Sequence, residues 1–175
     1  MRDDLSPYEM SDETANAWLG LFQALGFVVI HWGLIERQID NWIGRLFHEY
    51  GGNKLRSRGD IPVSLKQKLL FLSVCFNKIP EIATLRIEGR RLISRAKAAS
   101  KRRNDLMHGS ITSLESHRGI FRFEKIDYLP ERQTLREFTL SHPDFQEFLP
   151  ILTELVTDVI AFSQKLAAVP PRSTG

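Results

Sequence analysis

Near the middle of the chain runs Arg103-Asn104-Asp105-Leu106-Met107-His108-Gly109. A histidine exchanges protons near neutral pH. An arginine is always charged and stabilises a phosphate that gains negative charge in a transition state. Asn104 and His108 are four residues apart, so on a helix they share a face. Arg103 is five residues before His108, and fraying at Gly109 can bring both side chains toward one cleft. Phosphoryl chemistry is therefore open to this trio. A plain helix-terminal histidine is the bland alternative.

The trio closes a strongly basic segment. Residues 86–103 hold eight basic residues, Arg86, Arg90, Arg91, Arg95, Lys97, Lys101, Arg102 and Arg103, against Glu88 alone, a local charge of +7. The formal net charge of the chain is +3, so the remainder carries −4. A basic element on an otherwise acidic chain is an electrostatic footprint for phosphate. Arg95, Lys97, Lys101 and Arg102 are the candidate nucleic-acid contacts. A solvated face paired with acids of neighbouring elements is the other reading. Arg103 falls in line with Leu85, Gly89, Leu92, Ala96, Ala99 and Leu106, so its guanidinium should be partly buried. Such a charge needs an ionic partner or a wet cleft.

These residues need elements to position them. The 175 residues, 42% hydrophobic and 26% charged, suit one globular domain of mainly helical class over 1–175, ordered over about 11–168. Trp18, Leu21, Leu25, Val28, Trp32, Ile35, Ile39, Trp42 and Leu46 recur at three- and four-residue spacing and predict one long first helix. Ser11 or Asp12 can cap it, and Gly51-Gly52 can end it. Phe22, Phe27, Val29 and Ile30 add apolar residues on other faces. A helix apolar on more than one face needs more than one cover, and a second subunit is a natural one. Thr14 to Ile35 is long enough to cross a bilayer. Its rhythm runs on into charged sequence, however, so we expect no membrane.

Asn53–Pro62 reads as a polar loop. Ser64 predicts the cap of a second helix to about Lys78, with Leu65, Leu69, Leu72 and Phe76 inward. Pro80 suits the first turn of a third helix, which Gly109 stops near His108. Phe121 and Phe123 alternate with Arg122 and Glu124, so 111–140 predicts an antiparallel insert of two or three strands. His117-Arg118-Gly119 makes one turn and Pro130 marks a second. A last helix over Pro143–Ala168 buries Phe145, Phe148, Leu152, Leu155, Val159, Phe162 and Leu166. Pro150 should kink it or mark its true start. Residues 169–175 read as a loose tail.

Other chemistries lack a pattern. There is no nucleophile elbow, Walker loop or dinucleotide fingerprint, so no cofactor is expected. The histidines lack metal-ligand spacing, so no metal is expected. The single cysteine, Cys75, sits among Leu72, Val74 and Phe76 and reads as a buried thiol. One unpaired cysteine and a polar start without an apolar run point to the cytoplasm.

Arg103-Asn104-…-His108-Gly109 resembles the motif of the HEPN superfamily, an arginine, often followed by Asn, Asp or His, with a histidine a few residues on at a helix end. Trp32-Gly33-Leu34-Ile35-Glu36-Arg37-Gln38-Ile39 and Ser64-Leu65-Lys66-Gln67-Lys68-Leu69-Leu70 resemble the first two helices of such proteins. The resemblance covers roughly Trp18 to Gly109 and the last helix. It implies an antiparallel helical bundle that forms a homodimer. It implies a metal-independent endoribonuclease, of the kind found in toxin–antitoxin pairs and phage defence, with RNA as substrate and an antitoxin or other protein as partner. His108 would assist attack of the RNA 2′-hydroxyl on the adjacent phosphate, Arg103 would stabilise the transition state, and Asn104 would orient both. The family also has inactive members, which leaves a non-catalytic module binding a nucleotide or a protein as the alternative.

Overall fold

A computed structural model describes residues 11–56, 59–128 and 131–171. The chain is mainly helical, with a small antiparallel sheet before the last helix. Its long elements are α1 (Asp12–His48), α2 (Leu65–Lys78), α3 (Arg86–His108), β1 (Ser110–Glu115), β2 (Ile120–Tyr128), β3 (Gln133–Ser141) and α4 (His142–Ala168). They fall into two compact units. One is the chain up to Ile30 with Arg102–Ile151, and the other is His31–Lys101 with the chain from Leu152 onward.

In the first unit, the early part of α1 packs on the sheet. Leu21, Ala24 and Val28 are buried with Phe121, Phe123, Leu140, Phe145 and Phe148. Trp18 meets Phe121 edge to face at 5.3 Å, the geometry favoured by the opposite charge of ring face and ring edge. The strands run in the order β1-β2-β3, all antiparallel. Their period of two is visible in β2, where Phe121 and Phe123 are buried and Arg122 is exposed. The turn at His117–Gly119 closes as expected, with Gly119 left-handed at φ 58°. Pro130, the expected second turn, lies outside the described residues.

In the second unit, Ile35, Ile39, Trp42 and Leu46 of α1 face Leu69, Leu72 and Phe76 of α2, Leu92 and Ala96 of α3, and Leu155, Val159, Phe162 and Leu166 of α4, all buried. The indole of Trp42 donates to Ser163 Oγ at 2.6 Å, and Ser163 donates to Gln38 Oε1 at 2.8 Å. This satisfies polar atoms that burial would otherwise penalise. Ser64 caps α2 by accepting from the Gln67 N–H at 3.4 Å.

Three expectations need adjusting. Pro80–Leu85 is a 3-10 turn, not the start of α3, because Ile82 leaves helical backbone (φ −106°, ψ 17°) with its side chain fully buried. Pro150 does not mark the start of α4, which begins at His142 and carries the proline inside. Val169 is held rather than loose, because its carbonyl accepts from Tyr50 Oη at 2.6 Å and from Arg45 at 3.0 Å. Residues 172–175 lie outside the described residues.

Among the described residues, α1 is the one helix long and apolar enough to cross a membrane. Its buried seam runs beside an exposed apolar face in the first unit, made of Leu19, Phe22, Val29 and Ile30.

Gly89 of α3 lies against Phe76 of α2. A Cβ there would stand 2.8 Å from the phenyl ring, and tightly packed interiors accommodate such an intrusion only by shifting. Gly89→Ala should therefore lower stability by about 1–3 kcal/mol, although alanine is the better helix former by about 1 kcal/mol. Urea denaturation of the two proteins checks this; equal or higher stability in the variant would show that the α2–α3 contact can relax.

Candidate functional site

The motif occupies the last turn of α3, in the first unit. Leu106 is buried and anchors the turn, while Met107 and His108 are exposed. The helix ends because the backbone turns directly into β1 at Ser110. Gly109 follows the last helical residue, as expected, with φ outside the left-handed region. It is needed for space. A Cβ on Gly109 would lie 2.8 Å from the Asp105 carbonyl and 3.1–3.2 Å from the rings of Phe138 and Phe123. Those rings stack in parallel at 5.1 Å and form the floor under the helix end.

Asp105, unremarked in the sequence, is the anchor of this end. Its carboxylate accepts from Lys125 Nζ at 2.9 Å and from Arg136 Nη2 at 2.6 Å. Arg136 also donates to Asp127 at 2.8 Å. One β2 residue and one β3 residue thus grip one side chain of α3, and Asp127 of β2 steadies Arg136 from the other side. The strand period places Lys125 and Asp127 on the same face as Phe121 and Phe123, which was the available signal for inward-pointing charges. Partial burial works to raise the Asp105 pKa. The hydrogen bonds and charges of Arg136 and Lys125 outweigh it, so the carboxyl titrates below its ordinary range.

A second anchor fixes Arg102. It donates to the Asp144 carbonyl at 2.7 Å, with its guanidinium 4.9 Å from the centre of the Phe148 ring. Asp144 accepts from Ser141 Oγ at 2.6 Å and from the Ser141 N–H at 2.8 Å. That is a side chain in the first turn of α4 reaching back to the residue before the helix, as in a capping box. These Ser141 hydrogen bonds hold the Asp144 carboxyl below its usual range.

The sequence-derived site residues separate into groups. Arg103 donates to Asn104 Oδ1 at 2.9 Å, and both are half-buried. His108 stands on the wall of an open cleft of about 610 Å³, with Ser110, Lys125, Asp127 and Tyr128, and neither Arg103 nor Asn104 lines it. Arg95, in the second unit, is ion-paired with Asp158 and Glu154 of α4. Lys97 and Lys101, also in the second unit, are exposed and enter no ion pair among the described residues. Glu88, the acid of the basic segment, is drawn away to Lys165 at 2.8 Å.

Cys75 is fully buried and its thiol is pushed up to about 12 by burial, so it carries no thiolate near neutral pH. Among the described residues, no three His, Cys, Asp or Glu side chains are grouped to hold a metal ion. No protein-family model, curated protein or solved structure matches this chain.

The depressed carboxyls set an acid dependence. An unfolded aspartate titrates near about 3.9, and folded Asp105 and Asp144 titrate lower. As pH falls, the unfolded chain takes up the proton first. Their stabilisation is therefore complete above about pH 5 and lost progressively below about pH 4. Asp105→Asn removes the nearer of the two carboxylates that meet Lys125, leaving Asp127 at 3.8 Å, so it should cost about 1–3 kcal/mol at pH 7 and flatten the fall in stability between pH 5 and pH 3. Denaturant midpoints across that range check both; an unchanged acid slope would remove Asp105 as the anchor.

Proposed function

We propose that this chain is a HEPN-like, metal-independent endoribonuclease of the cytoplasm, working as a homodimer in a toxin–antitoxin or phage-defence role. The observation that carries the reading is at the end of α3. The Arg103 guanidinium is held by Asn104 Oδ1, one helical turn before an exposed histidine on the wall of an open cleft. In this reading His108 takes the proton of an RNA 2′-hydroxyl as its oxygen attacks the adjacent phosphorus. Arg103 stabilises the charge that gathers on the phosphoryl oxygens. The P–O5′ bond breaks, and the 5′-oxygen takes a proton from water as it leaves. The products are a 2′,3′-cyclic phosphate and a 5′-hydroxyl. Asn104 keeps the guanidinium aimed. Lys97 and Lys101, exposed and without ionic partners among the described residues, supply the cations that draw RNA in, whereas Arg95 and Arg102 are largely committed to α4.

The homodimer is supported by the exposed apolar face of α1. Leu19, Phe22, Val29 and Ile30 lie on it, and Ile30 is 64% exposed. Gly26 falls on the same face with open space where a Cβ would be, so a partner helix can approach closely. An antitoxin or other protein partner belongs to the same reading. One observation favours the alternative, a non-catalytic module that binds a nucleotide or a protein: the cleft beside His108 does not include Arg103 or Asn104.

Purified protein incubated with a mixed RNA pool in excess EDTA should release cyclic-phosphate ends. Arg103→Ala and His108→Ala, with folding checked by circular dichroism, should each lose at least about a hundredfold in rate. No cleavage by wild type would favour the binding module. Cleavage that survives both substitutions would overturn the site assignment. Separately, Phe22→Glu with Ile30→Glu should convert dimer to monomer in sedimentation velocity, and a wild type that is already monomeric would overturn the dimer.

A further inference from the structure

The cleft beside His108 exists because β2 is longer than its neighbour. β1 begins at Ser110, opposite Glu124, whereas β2 continues to Tyr128. Lys125, Ile126, Asp127 and Tyr128 pair on one side with Arg136, Leu135, Thr134 and Gln133 of β3. On the other side β1 has no residue to offer them. Alternate residues of this segment therefore turn their N–H and C=O away from β3, each presenting a donor beside an acceptor.

The side chains around this edge have unequal freedom. Lys125 is committed to Asp105, and Asp127 to Arg136. Glu124 also lines the cleft, half-buried, and enters no ion pair among the described residues. The uncompensated charge of the cleft is thus negative, which disfavours a phosphate inside it. A carboxylate is acceptor-only and calls for a ligand with hydrogen-bond donors. Tyr128, 74% exposed, supplies a flat ring at the rim, and Ile126 and Leu135 supply apolar wall. The volume of about 610 Å³ falls in the range of small-ligand sites, roughly 300–1,000 Å³. A flat, neutral ring with an amino group fits each of these features. The Tyr128 ring offers a stacking face, the Glu124 carboxylate an acceptor for an amino group, and the open strand edge further donors and acceptors.

We propose that this cleft is a base-reading pocket, which seats a nucleobase bearing an exocyclic amino group next to the phosphate presented to His108. The inference rests on the ribonuclease reading. Adenine, cytosine and guanine carry the amino group, and uracil lacks it. Uracil offers a carboxylate only its N3–H, flanked by two carbonyl oxygens that repel it, so the contact is weaker than with an amino group. A well-placed carboxylate–amino contact gives about 1–3 kcal/mol of discrimination, equivalent to roughly five- to 150-fold in rate. Stacking on an aromatic ring is worth a similar amount for every base.

The experiment uses four DNA oligonucleotides, each with a single ribonucleotide, rA, rC, rG or rU, at the cleavable position. kcat/KM is measured for the wild type, Glu124→Gln, Tyr128→Ala and Tyr128→Phe. The wild type should favour the best amino-bearing base over uracil by at least about tenfold. Glu124→Gln should shrink that ratio severalfold, because an amide can donate to uracil. Tyr128→Ala should lower kcat/KM for all four, and Tyr128→Phe should restore it. A wild type that cleaves the uracil substrate as well as the others overturns the pocket, as does a Glu124→Gln variant that keeps the full preference. If the wild type cleaves none of the four, the ribonuclease reading fails, and calorimetry with AMP, CMP, GMP and UMP decides the pocket alone. Binding of the amino-bearing nucleotides over UMP that depends on Glu124 retains it; equal or absent binding overturns it.

Discussion

The carboxylate of Asp105 holds the end of α3 to the sheet, and the arrangement around His108 follows from that grip. Lys125 and Arg136 reach it from adjacent strands at 2.9 and 2.6 Å, so the last helical turn cannot slide along β2 without breaking two charge-assisted hydrogen bonds. Gly109 completes the constraint. With no Cβ, it lets the backbone descend onto the stacked rings of Phe123 and Phe138 within a single residue. His108 therefore leaves the helix at a set height above the sheet. The cleft beside it lies where β2 runs four residues past the start of β1.

The same local economy sorts the cations of α3. A guanidinium can lie along a neighbouring ring and donate in two directions, and Arg95 and Arg102 are the ones drawn into contacts with α4. Lys97 and Lys101 remain solvated. A segment with a charge of +7 in the sequence thus presents far less than that to a ligand. The surplus sits on residues that neighbouring carboxylates do not reach, which is where an anionic polymer would be felt.

Much of the scaffold was legible in the residues. The three–four spacing of α1 from Val28 to Leu46, the Ser64 cap, the Phe121–Phe123 alternation and the inner face of α4 all recur in the structure as read. Each is a local pattern, in which a side chain's fate follows from the period of its own helix or strand. The candidate site was legible only in part. Its motif stood out by residue type, and the half-burial of Arg103 followed from its stripe. The partners of Asp105 did not stand out, because Lys125 and Arg136 lie 20 and 31 residues away.

What local periodicity carries, the chain spells out: among the described residues four α-helices, a small sheet before the last of them, and which face of each turns inward. What depends on distance between separate elements had to wait for the folded molecule. That includes the clearance that Gly109 gives the helix end over Phe123 and Phe138. It includes the choice of Asp105 as anchor, and the placing of His108 against β2 while Arg103 turns to Asn104. The physical reason is range. Hydrophobic burial repeats with the backbone period and is written every three or four residues. A hydrogen bond or a 2.8 Å clash is decided within tenths of an ångström by residues that meet only after the chain has folded.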